Sequence, residues 1–284
     1  MRLLGAPLRS PALLLSRPPH RTPCFQADLV HGEGMLATLV CLLSLMLLTS
    51  SRRLAGRRFF MTAGSAATPP AASGALLVSI EGNIGAGKST LLDALRETNR
   101  DWVFIDEPVK EWSQLKNEAG ESMLEVFYKD RRRWSYTFQN CALLTRYQSI
   151  EDAVKRNSGP RVFITERCLD TDYHVFTKML REDGSIDKLE YDLYERWFRQ
   201  LKKTSTPLAG IVHVDTSPEV SAERIVSRGR EGEEGIELGY LRALDKYQRA
   251  WIDAGEVPSI RADVRDAKRV QDFIQALLAK NGKV

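Results

Sequence analysis

Eight consecutive residues, Gly82-Asn83-Ile84-Gly85-Ala86-Gly87-Lys88-Ser89, satisfy the pattern GxxxxGK[ST] in full. Glycines at these positions let backbone N–H groups turn inward around a β-phosphate, and a helix starting directly behind them adds its dipole. Lys88 is long enough to reach the β- and γ-phosphates, the Ser89 hydroxyl is a ligand for Mg²⁺, and Thr90 follows in the first turn of the helix. A chance glycine-rich turn would lack the flanks seen here, an apolar strand pattern before and a helical pattern after. Such a loop serves ATPases, GTPases and kinases alike, so other residues must identify the acceptor.

Two further strand ends carry charge. Glu107 precedes Pro108, which pushes it out of the α region into an extended conformation. A carboxylate fixed there is placed to take a proton from a primary hydroxyl. Glu166-Arg167 closes another apolar run; the carboxylate can hold Mg²⁺ or a water on it, and the guanidinium can hold phosphoryl oxygens. Each could singly be a solvated loop acid or a surface ion pair, but three strand ends with phosphate chemistry point one way. Arg224 and Arg228 stand one helical turn apart, and Arg230 follows Gly229. The polar, glycine-bearing stretch Glu231-Gly232-Glu233-Glu234-Gly235 comes next and reads as a mobile lid bringing arginines to a triphosphate.

The elements that must position these groups alternate. Strand patterns cover Ala75–Glu81, Trp102–Asp106, Arg161–Glu166, Ala209–Asp215 and a short stretch near Val257–Ala262. Helical patterns cover Lys88–Thr98, 120–130, 134–157, 169–180, 188–203, Ser217–Arg228, Leu238–Ala254 and Asp266–Lys280. The expectation is an α/β P-loop kinase fold, a parallel five-stranded sheet with helices on both faces and a short lid, its site beyond the carboxyl ends of the strands. Within 134–157, Gln139, Ala142 and Arg146 share one face, with Phe138 beside it and Trp134 one turn earlier. A Gln amide offers an acceptor and two donors to a nucleobase edge, and an aromatic wall suits its flat face.

In this order the motifs resemble the deoxynucleoside kinase family, which includes deoxycytidine kinase, deoxyguanosine kinase and mitochondrial thymidine kinase. The resemblance rests on the P-loop, Glu107-Pro108-Val109 with Trp112, Tyr128, Trp134 to Gln139, Glu166-Arg167, and Arg228-Gly229-Arg230 with Glu233, and it covers nearly all of residues 75–260. It implies ATP, or another nucleoside triphosphate, as donor with Mg²⁺, and a deoxynucleoside as acceptor. By the same resemblance Glu107 is the base on the 5′-OH with Arg167 beside it, and Glu166 helps place Mg²⁺. Tyr128 and Glu233 hold the sugar 3′-OH, and Trp112, Phe138 and Gln139 line the base pocket. An Arg and an Asp matching Arg146 and Asp172 are the pattern of members acting on deoxycytidine and purine deoxynucleosides, so thymidine is expected to be poor. The chain departs from the family in having Cys168 after Glu-Arg, and Asp170 and His174 where aromatics are usual.

Of 284 residues, the first 74 hold eight arginines, no lysine and only Asp28 and Glu33 as acids, a net +6 against +4 for the whole chain. Residues 75–284 are therefore net −2, which argues against a nucleic-acid polymer as partner. Residues 1–74 have the composition of a targeting segment and linker, with an organelle, the mitochondrion first and the plastid second, as destination, and the cytoplasm if the leader is absent. The apolar run Met35–Thr49 falls short of the roughly 20 residues that span a bilayer, so no stable membrane insertion is expected. Met35 and Met61 are possible alternative starts. No CxxC pair occurs among Cys24, Cys41, Cys141 and Cys168, and the latter two are expected as buried apolar residues. Apolar surplus on 134–157 and 169–180, together with the family resemblance, suggests a homodimer through a helix bundle. Two alternatives remain: another small-molecule P-loop kinase, and a non-catalytic kinase-like subunit of a larger organellar complex. Glu107 would repel the acceptor of a monophosphate kinase, and intact motifs weigh against a subunit that has lost its chemistry.

Overall fold

A computed structural model describes residues 74–281 apart from 158, 160, 231 and 234. The targeting reading, the run Met35–Thr49, Cys24 and Cys41 lie outside the described residues.

Five strands form one parallel sheet: β1 Ala75–Glu81, β2 Val103–Ile105, β3 Arg161–Glu166, β4 Leu208–Val214 and β5 Ser259–Ala262, in the order β2-β3-β1-β4-β5. Strand β1 is buried along its whole length, as a central parallel strand covered on both faces must be. The chain leaves β1 toward β2 and β3 on one side and β4 and β5 on the other. A crevice therefore opens beyond its carboxyl end, where the phosphate loop begins.

Helices α1 (Lys88–Thr98) and α10 (Ala267–Lys280) cover one face; Leu91, Leu92, Leu95, Val270 and Ile274 meet Leu76, Val78, Ile80, Ile164 and Val212 there. The other face carries α4 (Arg131–Arg156), α7 (Lys188–Thr204) and α9 (Leu238–Asp253), together with the helical segment that follows β3. Two short helices, α2 (Val109–Gln114) and α3 (Met123–Lys129), close the site from the side, and α8 (Pro218–Arg228) leads into the lid.

Local chemistry accounts for the differences from the sequence reading. Ser122 accepts from Glu125 N and Glu125 accepts from Ser122 N, a capping box that starts α3 at Met123 and not near residue 120. Asp130 ends α3 and caps α4 through Arg133 N at 3.1 Å, so the long helix starts at Arg131, three residues earlier than its apolar pattern suggested. Helix α2 has only six residues, too few for a periodic signal. The span 169–180 is not one α-helix: α5 (Leu169–Thr171) passes into a π-helical turn, Asp172–Thr177, and then α6 (Lys178–Glu182). Its apolar residues Leu169, Val175, Met179 and Leu180 are core, so the expected surplus does not lie there. Exposed apolar side chains stand on α7 at Leu189, Leu193 and Trp197, on α4 at Leu144, on α8 at Val220 and Val226, and at Leu115.

Candidate active site

The phosphate loop is shaped by contacts that a side chain would block. A Cβ on Gly85, whose φ is +77°, would lie 2.5 Å from Ser221 O, and one on Gly87, at φ +101°, would lie 2.4 Å from Val264 Cγ1. Asn83 ties the loop to α9 through Leu241 O at 2.8 Å, while its Oδ1 accepts from Ile84 N at 2.9 Å. Lys88 is buried, donates to Asn83 O at 2.9 Å and pairs with Glu166 at 3.5 Å. Ser89 Oγ donates to the same carboxylate at 3.1 Å. Gly82 and Ala86 complete the turn, with Ala86 buried and its carbonyl taking two donors, Thr216 Oγ1 at 2.9 Å and Arg224 Nη1 at 2.8 Å.

The charged side chains expected at the site converge from the ends of β2 and β3 and from α4. Arg167 Nη1 donates to both oxygens of Glu107 at 2.7 and 2.8 Å, and Arg146 Nη2 adds a third bond at 3.0 Å. Arg146 spends Nε on Asp172 at 2.9 Å and Nη1 on Glu166 O at 2.8 Å. Arg167 has φ +64°, the sole non-glycine in the left-handed region among the described residues, a conformation that costs roughly 1–2 kcal/mol. Its guanidinium lies 5.1 Å over the ring of Phe176.

These groups share one cavity of about 1060 Å³ with the loop. Its inner wall is aromatic: Trp112 meets Phe138 edge to face at 5.2 Å, and Phe138 packs on Phe127 at 4.6 Å. Trp112 Nε1 is held by Thr145 Oγ1 at 3.0 Å, and Arg146 sits 5.8 Å from the Trp112 ring. Ala142 and Gln139 are buried in the same wall, and Gln139 Oε1 has no hydrogen-bond partner, as an atom awaiting a ligand would. Tyr128 and Glu233 line the cavity at the lid side. Glu233 is buried and takes Arg228 Nη2 and, at 3.1 Å, Arg230 Nη1.

The deoxynucleoside kinase family model matches residues 78–278. This chain belongs to the deoxynucleoside kinase family. It is 31% identical over 198 residues to the probable deoxycytidine kinase of Fowlpox virus, covering 69% of this chain and 80% of that protein. It is 32% identical over 212 residues to deoxycytidine kinase 2 of Gallus gallus, covering 68% and 78%. It is 31% identical over 193 residues to the mitochondrial deoxyguanosine kinase of Xenopus laevis, covering 62% and 72%. The chain is accordingly an ATP-dependent phosphotransferase acting on a deoxynucleoside.

In this kinase the charges set the protonation of the site. Burial alone would raise the Glu107 carboxyl, but Arg167, Arg146 and Lys88 outweigh it and hold it down to about 2. Glu107 is thus a carboxylate at neutral pH. Burial, with Arg167, lowers the Lys88 ammonium to about 8 against the opposing pull of Glu166, Glu107 and Glu81. Burial raises the Asp172 carboxyl, and Arg146 opposes it.

Two of the expected nucleotide-binding residues stand apart from the others. Arg224 turns back onto the phosphate loop and braces Ala86 O at 2.8 Å, while Arg228 and Arg230 line the cavity. Thr90 is exposed in the first turn of α1. Sequence reasoning missed Val109, Leu124 and Phe176, which also line it. Phe176 follows Asp172 by four residues, a same-face helical spacing that is a usable signal once Asp172 is placed in the site.

Proposed function

We propose that this kinase transfers the γ-phosphate of ATP to the 5′-OH of deoxycytidine or a purine deoxynucleoside, with thymidine a poor acceptor. One observation carries the reading: the Glu107 carboxylate, gripped by Arg167 and Arg146, opens onto the same cavity as Lys88 of the phosphate loop. The 5′-oxygen attacks the γ-phosphorus, the bond to the bridging oxygen of ADP breaks, and the hydroxyl proton passes to Glu107. A weak base suffices, because in a loose transition state the new P–O bond is barely formed and the proton leaves late, once the attacking oxygen has become strongly acidic. Arg167 neutralises the transferring group, and Lys88, Arg228 and Arg230 neutralise the donor phosphates. Residues 82–89 cradle those phosphates.

The Ser89 hydroxyl and the Glu166 carboxylate, 3.1 Å apart, form a hard oxygen pair that suits Mg²⁺. The ion would neutralise phosphate charge there. Tyr128 and Glu233 hold the sugar 3′-OH; Trp112, Phe138 and Ala142 line the base pocket, and Gln139 meets the base edge. Arg146 and Asp172 decide the base, since a fixed guanidinium offers donors only and fills the space a thymine methyl would need. The exposed strip of Leu189, Leu193 and Trp197 supports a homodimer. The arginine-rich, acid-poor composition of residues 1–74 supports an organellar, mitochondrial address.

The test is an assay with ATP and each of four deoxynucleosides. Glu107→Gln should lose roughly 10²–10⁴-fold in turnover while still binding ATP. Near-normal turnover in that variant, or thymidine as the best acceptor of the native enzyme, would overturn the respective part of the reading.

A further inference from the structure

Glu81 ends β1 and is fully buried, directly before the phosphate loop, yet neither the loop nor the reacting pair uses its side chain. Its carboxylate meets neutral donors. Ser79 Oγ and Thr171 Oγ1, the latter at 2.6 Å, donate to Oε1, and Gln248 Nε2 reaches Oε2 at 3.3 Å. The three donors come from three elements: its own strand, the last residue of α5 behind Arg167, and α9, which also anchors Asn83 through Leu241 O.

Thr171 is the relay. Its hydroxyl gives its proton to Glu81 and accepts from Cys168 N at 3.3 Å, the first N–H after Arg167. On the other side of the turn, Thr165 Oγ1 donates to Arg167 O at 2.9 Å, and Arg167 N donates to Ile80 O at 3.1 Å. The strained left-handed residue is thus clamped front and back, and both clamps lead to the end of β1, to Ile80 and Glu81. The rear clamp opposes relaxation of this turn, and so opposes movement of Arg167 Nη1 away from the two oxygens of Glu107.

We propose that Glu81 is a positioning residue for phosphoryl transfer, holding Arg167 on Glu107 through Thr171 and steadying α9 against the phosphate loop through Gln248. The position calls for an acceptor with room for two hydroxyl donors on one oxygen and an amide on the other. Burial pushes the Glu81 carboxyl above its usual range, against the bonds from Ser79 and Thr171 and the charges of Arg167 and Arg146. A Gln amide supplies the same contacts: its oxygen takes both hydroxyls and its NH₂ faces Gln248, whose amide turns to accept. A Leu of similar size takes none.

The inference rests on Glu107 and Arg167 being the reacting pair, and the experiment separates the two. In the full chain, Glu81→Gln, Glu81→Leu, Thr171→Val and Glu107→Gln are compared by kcat per ATP-binding site, by KM for ATP and for the deoxynucleoside, and by thermal melting. Glu81→Leu and Thr171→Val should lose about 10- to 100-fold in kcat with both KM values within about threefold, and Glu81→Gln should keep kcat within about threefold. A full kcat per site in Glu81→Leu or Thr171→Val, with a lowered melting point alone, would reduce Glu81 to a stability role and overturn the proposal. So would a Glu81→Gln variant as slow as Glu81→Leu, since the hydrogen bonds would then not be what matters. If Glu81→Leu does not fold, Thr171→Val decides. An unimpaired Glu107→Gln would overturn the reacting pair itself.

Discussion

The pair Arg146–Asp172 makes a prediction in which two single substitutions behave unequally and a third cancels part of the damage. Both side chains are buried, at 3% and 2% exposure. Arg146→Met strips Asp172 of its partner and leaves a buried carboxylate uncompensated, a loss of about 3–5 kcal/mol. Asp172→Ala is milder, because Arg146 keeps Glu107 and Glu166 O; one hydrogen bond to a charged group is lost, about 1.5–3 kcal/mol. The double variant removes the orphan, so it should be no less stable than Arg146→Met although it carries one more truncation. At about 2–4 °C per kcal/mol for a domain of this size, Arg146→Met should melt about 6–20 °C below the native enzyme. In the double variant the kcat/KM ratio of thymidine to deoxycytidine should rise about 5- to 150-fold, the worth of one good bidentate contact. Loss of Arg146 from Glu107 slows every acceptor and cancels in the ratio. Calorimetry and paired-acceptor kinetics check both halves. Additive stability losses would refute the orphan-charge argument, and an unchanged ratio would refute the specificity role.

The Lys88 ammonium, lowered to about 8, is cationic below that pH and neutral above it. Hence kcat/KM for ATP should fall above about pH 8, and the limb in kcat should lie higher because bound phosphates favour the cation; a kcat/KM profile flat to pH 10 would contradict this. Gly85→Ala forces a Cβ onto Ser221 O at a positive φ and should raise the KM for ATP about tenfold or more, since strain of 1–2 kcal/mol adds to the clash; an unaltered KM would show that the loop gives way freely. Light scattering should give the mass of two chains for the native enzyme and of one for the double variant Leu193→Glu, Trp197→Glu; a native monomer would end the dimer reading.

Much of the site was legible because its signals are local. The phosphate loop needs glycines at fixed offsets and a lysine at the first helical turn, all within eight residues. Glu107 was readable because Pro108 constrains the residue before it, and Glu166-Arg167 because both close a strand whose apolar run ends there. Strand and helix alternation sufficed for a parallel sheet, and a parallel sheet puts such strand ends on one edge.

What the sequence left open depends on how distant segments meet. Arg224 and Arg228 lie one turn apart and look equivalent along the helix, yet the loop beside α8 captures the first while the second pairs with Glu233 in the cavity. Arg146 reads as a residue facing a base; only the meeting of α4 with β2, β3 and the π-helical turn commits its donors to Glu107, Glu166 and Asp172. The left-handed Arg167 has no propensity signal, since it persists because neighbours on other strands hold both its flanking groups. Glu81 would pass in sequence for a solvated acid at a strand end; its role follows from Thr171 and Gln248, 90 and 167 residues away, closing over it. Residue type and short spacing determine which chemistry is available, because those forces act within a turn or a strand. Packing decides which groups are desolvated and paired, because those energies depend on neighbours brought together only by the fold.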